Sequence, residues 1–288
     1  MVKKLSFFFY LILKIADKVF RFLTKRSFLI YFKDFLEKDS YKNIYILRKK
    51  VRFFVPNQLT EWRVDSFYYK EPETLEWIDS FQKKKFIFWD IGANIGLYSI
   101  YNSLKNKNSE TICFEPSTSN LRILSRNISI NNLGNNIRIF PIPLTNKENK
   151  FLTMKENQFI EGGALNTFGE NFNFEGKKFN SPHKYQLFGT SINYLLKNNL
   201  LAEPDYIKID VDGIEHLILE SANKYLSSKK IKSISIEINE NFTQQYKEVL
   251  KILSLHKFKI LHKKNNSKKL NLQSQFSNTF NYIFNKCN

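Results

Sequence analysis

A chain of 288 residues, 42% hydrophobic and 16% aromatic, can bury a full core and suits one large domain with an extension; two cysteines, Cys113 and Cys287, are too few for a disulfide framework or a zinc cluster. The net charge of +18 sits at the ends: residues 1–52 carry 14 Lys/Arg against 4 Asp/Glu, residues 245–288 carry 9 Lys against one Glu, and residues 53–244 balance at 22 and 22. Such ends attract anionic membrane, nucleic acid or charged glycan, but no aromatic-interleaved nucleic-acid signature accompanies them, and a Lys/Asn-rich composition accounts for the charge without a partner.

Lys3-Lys4 precede the apolar run Leu5 to Leu13, the outline of a signal peptide. Lys14 breaks that run far short of the ~20 residues of a membrane span. The following Lys14-Ile-Ala-Asp-Lys-Val-Phe-Arg21 is a helical pattern without a small-x-small cleavage site. Residues 5–36 are therefore expected to form basic, apolar helices packed on the domain, with peripheral membrane contact as second choice. The matching location is cytoplasmic, on the inner face of the membrane in the second case. Residues 44–55 predict a short hairpin, and a boundary after residue 52 separates this extension from a domain over 53–288.

Pro72 suits the first turn of a helix in Lys70-Glu-Pro-Glu-Thr-Leu-Glu-Trp-Ile78. Residues 86–90 predict a strand, 97–104 a helix, and 111–114 a second strand. Residues 120–131 predict a helix with Leu121, Leu124 and Ile128 on one face, and 137–142 a third strand. Residues 146–185 show little period and predict loops and short strands. A fourth strand (205–210), a helix from Ile214 to about Leu226, a fifth strand (233–238) and a helix (244–256) follow. Residues 258–262 and 281–284 predict an antiparallel pair at one edge. Strands alternating with helices imply an α/β fold, a mostly parallel sheet covered on both sides.

Residues 88–96 read Phe-Trp-Asp-Ile-Gly-Ala-Asn-Ile-Gly, and Glu115 follows the second strand. An open α/β sheet holds an adenosine cofactor in this way: the turn lets backbone N–H groups approach, and the second acid takes the ribose hydroxyls. Dinucleotide dehydrogenases favour G-x-G-x-x-G; here Asn94, a residue that tolerates left-handed backbone, stands between only two glycines, Gly92 and Gly96. Asp90 before the turn would repel a pyrophosphate and suits the amino group of S-adenosylmethionine, which carries no phosphate.

Asp90-Ile-Gly-Ala-Asn-Ile-Gly96, Phe114-Glu-Pro116 and Ile207-Lys-Ile-Asp-Val-Asp-Gly-Ile-Glu215 resemble the signature set of the FkbM family of S-adenosylmethionine-dependent methyltransferases. Lys70-Glu-Pro-Glu-Thr-Leu-Glu-Trp77 and Ile236-Glu-Ile238 extend the resemblance over residues 53–284; the first 52 residues lie outside it. It implies a class I methyltransferase fold, Rossmann-like, of seven strands with the last antiparallel. It implies O-methyl transfer, often onto sugars of surface polysaccharides, glycolipids or secondary metabolites. Asp90, Gly92, Asn94 and Gly96 would hold the methionine end of the cofactor and Glu115 its ribose. Glu71 and Thr74 would cover the methionine end, or serve only as N-terminal helix residues.

Methyl transfer to a hydroxyl benefits from a base. Strand alternation puts Lys208 and Asp210 on one face, and Asp210 ends its strand beside the cofactor crevice. Asp210 is the candidate base, with Lys208 and Glu237 as a buried supporting pair and His216 as a second base. The alternative is a structural ion-pair network closing the strand ends. No metal is assigned: one bound by Asp210 and Asp212 stays open, but no His/Cys ligand set stands beside them. Glu161-Gly-Gly-Ala-Leu-Asn166 is either a loop closing over a ligand or an ordinary turn. Residues 146–200, with Phe159, Phe168, Phe172, Phe174 and Tyr185, are expected to recognise the acceptor, a glycan or small molecule. Two other readings stay open. A nucleic-acid methyltransferase is opposed by the neutral central domain and the lack of an Asn/Asp-Pro-Pro-Tyr/Phe motif. A non-catalytic module of the same fold would bind S-adenosylmethionine without turnover.

Overall fold

The structure is a computed structural model that describes residues 1–82, 85–265 and 276–287. The chain opens with two helices, α1 (Val2–Thr24) and α2 (Leu29–Asp39), and a hairpin of β1 (Tyr41–Ile46) and β2 (Lys49–Phe54). Short helices α3 (Gln58–Asp65), α4 (Phe67–Lys70) and α5 (Pro72–Asp79) lead into an alternating run: β3 (Ile87–Ile91), α6 (Leu97–Lys105), β4 (Glu110–Phe114), α7 (Thr118–Ile130) and β5 (Ile137–Phe140). Then come β6 (Lys150–Glu156), β7 (Thr167–Phe168), β8 (His183–Gly189) and α8 (Ile192–Lys197). The chain continues through β9 (Tyr206–Ile209), α9 (Glu215–Glu220), β10 (Ser233–Asn239), α10 (Thr243–Leu255), β11 (Phe258–Lys264) and β12 (Thr279–Lys286).

Seven strands form the main sheet in the order β11-β12-β10-β9-β3-β4-β5. The pairs from β10 through β5 are parallel, and β12 runs antiparallel to both β10 and β11. The order reverses at β3, with β4 on one side and β9 on the other, so the turns after β3 and β9 open at the same end of the sheet. A crevice at such a switch point is where open α/β sheets bind ligands. The fold is thus the expected α/β one with an antiparallel edge.

Alternation along β3 divides the core. Trp89 and Ile91 join Ile112, Ile207 and Ile209 against the side carrying α8, α9 and α10. Phe88 faces the other way with Cys113 and Tyr206, against α5, α6 and α7. Each such fully buried large side chain contributes about 1.5–3 kcal/mol. Asp90 lies on the Phe88 face and accepts a hydrogen bond from Ser99 Oγ of α6 at 2.5 Å.

Three features add to the sequence expectation or depart from it. The β1–β2 hairpin buries Ile46, Val51, Phe53 and Phe54 in the core on the α7 side, and the expected boundary at residue 52 falls inside β2. The strands expected in the aperiodic stretch 146–185 form and, with β8 running on to Gly189, make a second sheet, β7-β6-β8, antiparallel throughout. The helix expected to run to about Leu226 stops at Glu220, because Ser221 turns to α8: its carbonyl accepts Asn193 N–H at 2.7 Å and its hydroxyl accepts Ile192 N–H at 3.2 Å.

Candidate active site

The turn after β3 is tied to the next strand: Gly92 and Ala93 N–H both donate to Phe114 C=O, at 2.9 and 3.1 Å. Gly92 has φ +86°, and a Cβ there would lie 1.8 Å from the Asp210 carbonyl oxygen, so only glycine lets the two strand-end turns come so close. Asn94 takes the left-handed conformation at φ 51°. Its N–H donates to Glu115 Oε2 at 2.7 Å, and Ser117 N–H donates to Oε1 at 2.9 Å. Burial pushes the Glu115 carboxyl up to about 7, although both N–H groups favour its ionised form.

The loop Glu161 to Asn166 is strapped across this turn. Asn94 Nδ2 and Asn120 Nδ2 donate to Gly163 C=O at 2.8 and 3.1 Å, and Gly162 N–H donates to Asn120 Oδ1 at 2.9 Å. Arg63 Nε donates to Gly162 C=O at 2.6 Å. At the far end Leu165 N–H donates to Asp212 Oδ2 at 2.6 Å. Burial and the facing Asp210 carboxylate push Asp212 up to about 6. Glu215 accepts Val211 N–H at 3.1 Å and Gly213 N–H at 3.0 Å, and fixes the turn that presents Asp210 and Asp212; burial raises it to about 8.

Beside the turn stands a cluster of charged groups. Lys208 Nζ donates to Asp210 Oδ2 at 2.6 Å and lies 4.0 Å from Glu71; Lys70 Nζ donates to Glu71 Oε1 at 2.6 Å. Burial opposes ionisation of Glu71, yet Lys70 and Lys208 hold it at about 2. Lys208 is held well above its usual range by Asp210, Glu71 and Asp90 despite its burial. Glu237 goes the opposite way: burial and Asp210 raise it well above the usual carboxylate range. Carboxylate oxygens of Glu71, Asp210 and Glu237 lie within 4.8 Å of one another, and the Lys70 and Lys208 ammonium groups offset that negative charge.

Three adjoining clefts meet at Gly92, Asn94 and Asp210. One, of about 600 Å³, runs past Glu115, Asn120, Met154 and Phe168. A second, of about 430 Å³, lies between Lys70, Glu71, Tyr98 and Lys208. The largest, about 1370 Å³, is bounded by Trp62, Arg63, Gln158, Glu237, Phe276 and Asn281.

These residues fit S-adenosylmethionine. The first cleft offers an apolar slot with an acid whose remaining lone pairs can take ribose hydroxyls. Asn94 Oδ1 is buried without a hydrogen-bond partner among the described residues, and Asn94 lines all three clefts. Glu115 would hold the ribose, and Gly92 and Asn94, which line all three clefts, would reach the methionine end beside Glu71 and Lys70.

Other expected site residues sit further back. Asp90 is 1% exposed, lines none of the three clefts and backs the turn next to Lys208, its register partner on β9. Gly96 begins α6 at φ +89°, where a Cβ would press on Leu124. Thr74 is buried and donates to Glu71 Oε2 at 3.2 Å, so it orients Glu71 instead of reaching a ligand. Lys208 pairs with Asp210 and Glu71; no bond joins it to Glu237 among the described contacts. His216 does not reach the site. It is buried on α9 between Phe172 and Phe242, 3.7 Å from Glu248, because helical geometry turns the residue after Glu215 towards α10. Of the aromatics expected to face the acceptor, Phe168 lines the first cleft, Phe174 stacks on Phe276, and Phe159 is exposed beside Tyr185. Sequence reasoning missed Lys70, Tyr98 and Asn120. Asn120 lies 42 residues before Gly162, and nothing local marks the pair.

A family model described as the methyltransferase FkbM domain matches residues 90–260. No curated protein matches the chain. Among solved structures, a precorrin-6y C5,15-methyltransferase from Geobacter metallireducens is similar at 13% identity and TM-score 0.43, over 75% of this chain and 87% of that one. M. capricolum TrmK in complex with S-adenosyl-homocysteine is similar at 15% identity and TM-score 0.42, over 74% and 67%. A putative rRNA methylase from Clostridium thermocellum is similar at 9% identity and TM-score 0.46, over 76% and 96%.

Proposed function

This chain belongs to the FkbM methyltransferase family and is an S-adenosylmethionine-dependent methyltransferase, and from that premise we propose that it methylates a hydroxyl of a glycan, glycolipid or related small molecule. The observation that carries the reading is the lining of the largest cleft. Asn157 and Gln158 offer side-chain amides suited to hydroxyls, and Trp62 and Phe276 offer faces on which a sugar ring can stack. The same cleft holds four carboxyl groups, Glu71, Asp210, Asp212 and Glu237. Of its three cations, Lys70 and Lys264 are paired with Glu71 and Glu76, and Arg63 Nε donates to Gly162 C=O in the loop. A polyanion such as nucleic acid needs free cations at its phosphates; a neutral polyhydroxyl acceptor does not.

When bound, S-adenosylmethionine supplies an electrophilic methyl group and a good leaving group, so the protein chiefly positions the acceptor. Asp210, 20% exposed and oriented by Lys208, accepts the proton of the acceptor hydroxyl and passes it to solvent. Glu237, whose carboxyl burial and the Asp210 charge raise above the usual carboxylate range, lines the same cleft beside Asp210 and faces a neighbouring acceptor oxygen.

The test is transfer of labelled methyl from S-adenosylmethionine to fractionated polysaccharide, lipid and nucleic-acid extracts. Label is expected in the glycan or lipid fraction. Asp210→Asn should lower turnover by about 10²-fold or more while cofactor affinity stays within a few-fold. Label confined to nucleic acid would sink the acceptor assignment, and near-wild-type turnover of the variant would remove Asp210 as base.

A further inference from the structure

We propose that the α1–α2 hairpin is a docking surface for an anionic lipid bilayer, with α1 lying in the plane of the headgroups. The folded chain leaves this element bare. In α1 only Asp17 is buried, and α2 buries no residue. Leu5, Phe8, Ile12, Ile15, Val19 and Leu23 recur at three- and four-residue steps and make one apolar stripe along 23 residues, about 34 Å of helix. All six are exposed, Phe8 at 57%, Ile15 at 64% and Leu23 at 72%. Water is a poor neighbour for such a stripe, and a monomeric soluble surface rarely carries one.

Charge selects the occupant. Residues 1–28 carry seven Lys/Arg and one acid. That acid is consumed internally: Asp17 accepts from Ser27 Oγ, from Phe28 and Leu29 N–H, and from Arg21 Nε at 2.6 Å, and so joins α1 to the start of α2. Lys3, Lys14, Lys18 and Arg21 lie on the side of α1 opposite the stripe, where long side chains can reach outward along the helix to headgroup phosphates. A second copy of this chain would bring like-charged helices face to face, whereas anionic lipid satisfies the stripe and the cations together. Crossing the bilayer is not the mode, since no helix among the described residues is long and apolar enough to do so.

The anchor is attached next to the active site. Glu37 of α2 pairs with Arg122 at 2.7 Å, and the same guanidinium pairs with Glu161, at the start of the loop over the cofactor turn, at 3.1 Å. Docking through α1 would hold the cleft close to the lipid surface.

The test is flotation of the full chain with phosphatidylcholine vesicles, with and without phosphatidylglycerol. Partitioning is expected at least tenfold stronger with the anionic lipid, and weaker as salt rises from about 0.1 to 0.5 M. A Lys3/Lys4/Lys14/Lys18→Gln variant should partition at least tenfold less, given roughly fivefold per lysine near a charged surface. Phe8→Ser with Ile12→Ser should also lose partitioning. Both variants should bind S-adenosylmethionine as the parent does, which separates lost docking from misfolding and from any failure of the acceptor assignment. Failure to float with either vesicle would overturn the proposal. So would binding indifferent to lipid charge, or a lipid-free dimer that the Phe8/Ile12 variant converts to monomer.

Discussion

Glu115 stands between the cofactor turn and solvent chemistry. Its oxygens hold the Asn94 and Ser117 N–H groups at 2.7 and 2.9 Å, yet burial leaves its carboxyl at about 7. With Glu115 proposed to take the ribose hydroxyls, which are donors and favour the ionised form, cofactor binding at low pH would first remove a proton. S-adenosylmethionine affinity should therefore be full above pH ~8 and fall as pH drops through 7, approaching tenfold per unit below it. Titration calorimetry at pH 5.5, 6.5 and 8 measures this. Glu115→Gln should weaken binding by about 10- to 100-fold, the size of a hydrogen bond to a charged acceptor, and flatten the pH profile. The sign for stability is opposite. A carboxyl raised from 4.5 to about 7 on folding contributes stability that is complete below 4.5 and lost as pH rises through 7. At this scale the sequence is informative where chemistry is local: the strand-end acid and the glycines announce themselves. It is silent about Lys70, whose partner Glu71 is adjacent but whose placement at the cleft depends on α4 meeting α5. It misdirects at His216, where an attractive pKa says nothing about which way α9 turns it.

The element that completes the site is the loop Glu161 to Asn166, and it is held from three directions by side chains far apart in sequence. Asn94 reaches it from the cofactor turn, Asn120 from α7 and Arg63 from α3. Because Gly163 lines both the first cleft and the largest one, loosening the loop should be felt by cofactor and acceptor alike. Asn120→Ala removes one bond to Gly163 C=O and one from Gly162 N–H, about 1 kcal/mol each. Cofactor dissociation, followed by stopped flow, should accelerate by about tenfold; an unchanged rate with a lowered melting temperature would make the strap purely structural. The alternating strands and helices of the main sheet were legible because each buries a face with its own period. The β7-β6-β8 region was legible only as short strands and not as a sheet, because β6 and β8 are half-exposed strands whose pairing is set across some thirty residues. The double glycine in this loop left ligand closure and plain turn equally open, since the distinction lies in Asn94 and Asn120, outside the loop itself.

Taken as a whole, the molecule is a body with a handle. The two core clusters begin at Ile46 and include the β1–β2 hairpin, while no residue of α1 or α2 enters either cluster. What joins α2 to the body is the Glu37 carboxylate, 2.7 Å from Arg122 and 2.8 Å from Arg126. These groups are each about a third exposed, with side chains 30–41% accessible, so each pair contributes only about 0.2–1 kcal/mol. The body should accordingly fold without the handle. A chain lacking residues 1–39 is expected to bind S-adenosylmethionine within about twofold of the full chain and to melt only a few degrees lower, since about 1–2 kcal/mol shifts a domain of this size by roughly 2–8 °C. Differential scanning calorimetry with and without cofactor measures both quantities. Loss of cofactor binding in the shortened chain would mean that the Glu37–Arg122–Glu161 relay, and not the body alone, sets the loop over the cofactor turn. Retained binding with a small drop in melting temperature would place the structural division at residue 39 and not at 52, where the charge distribution and the extent of the resemblance had put it, because the basic residues 42–52 belong to a hairpin whose opposite face is buried core.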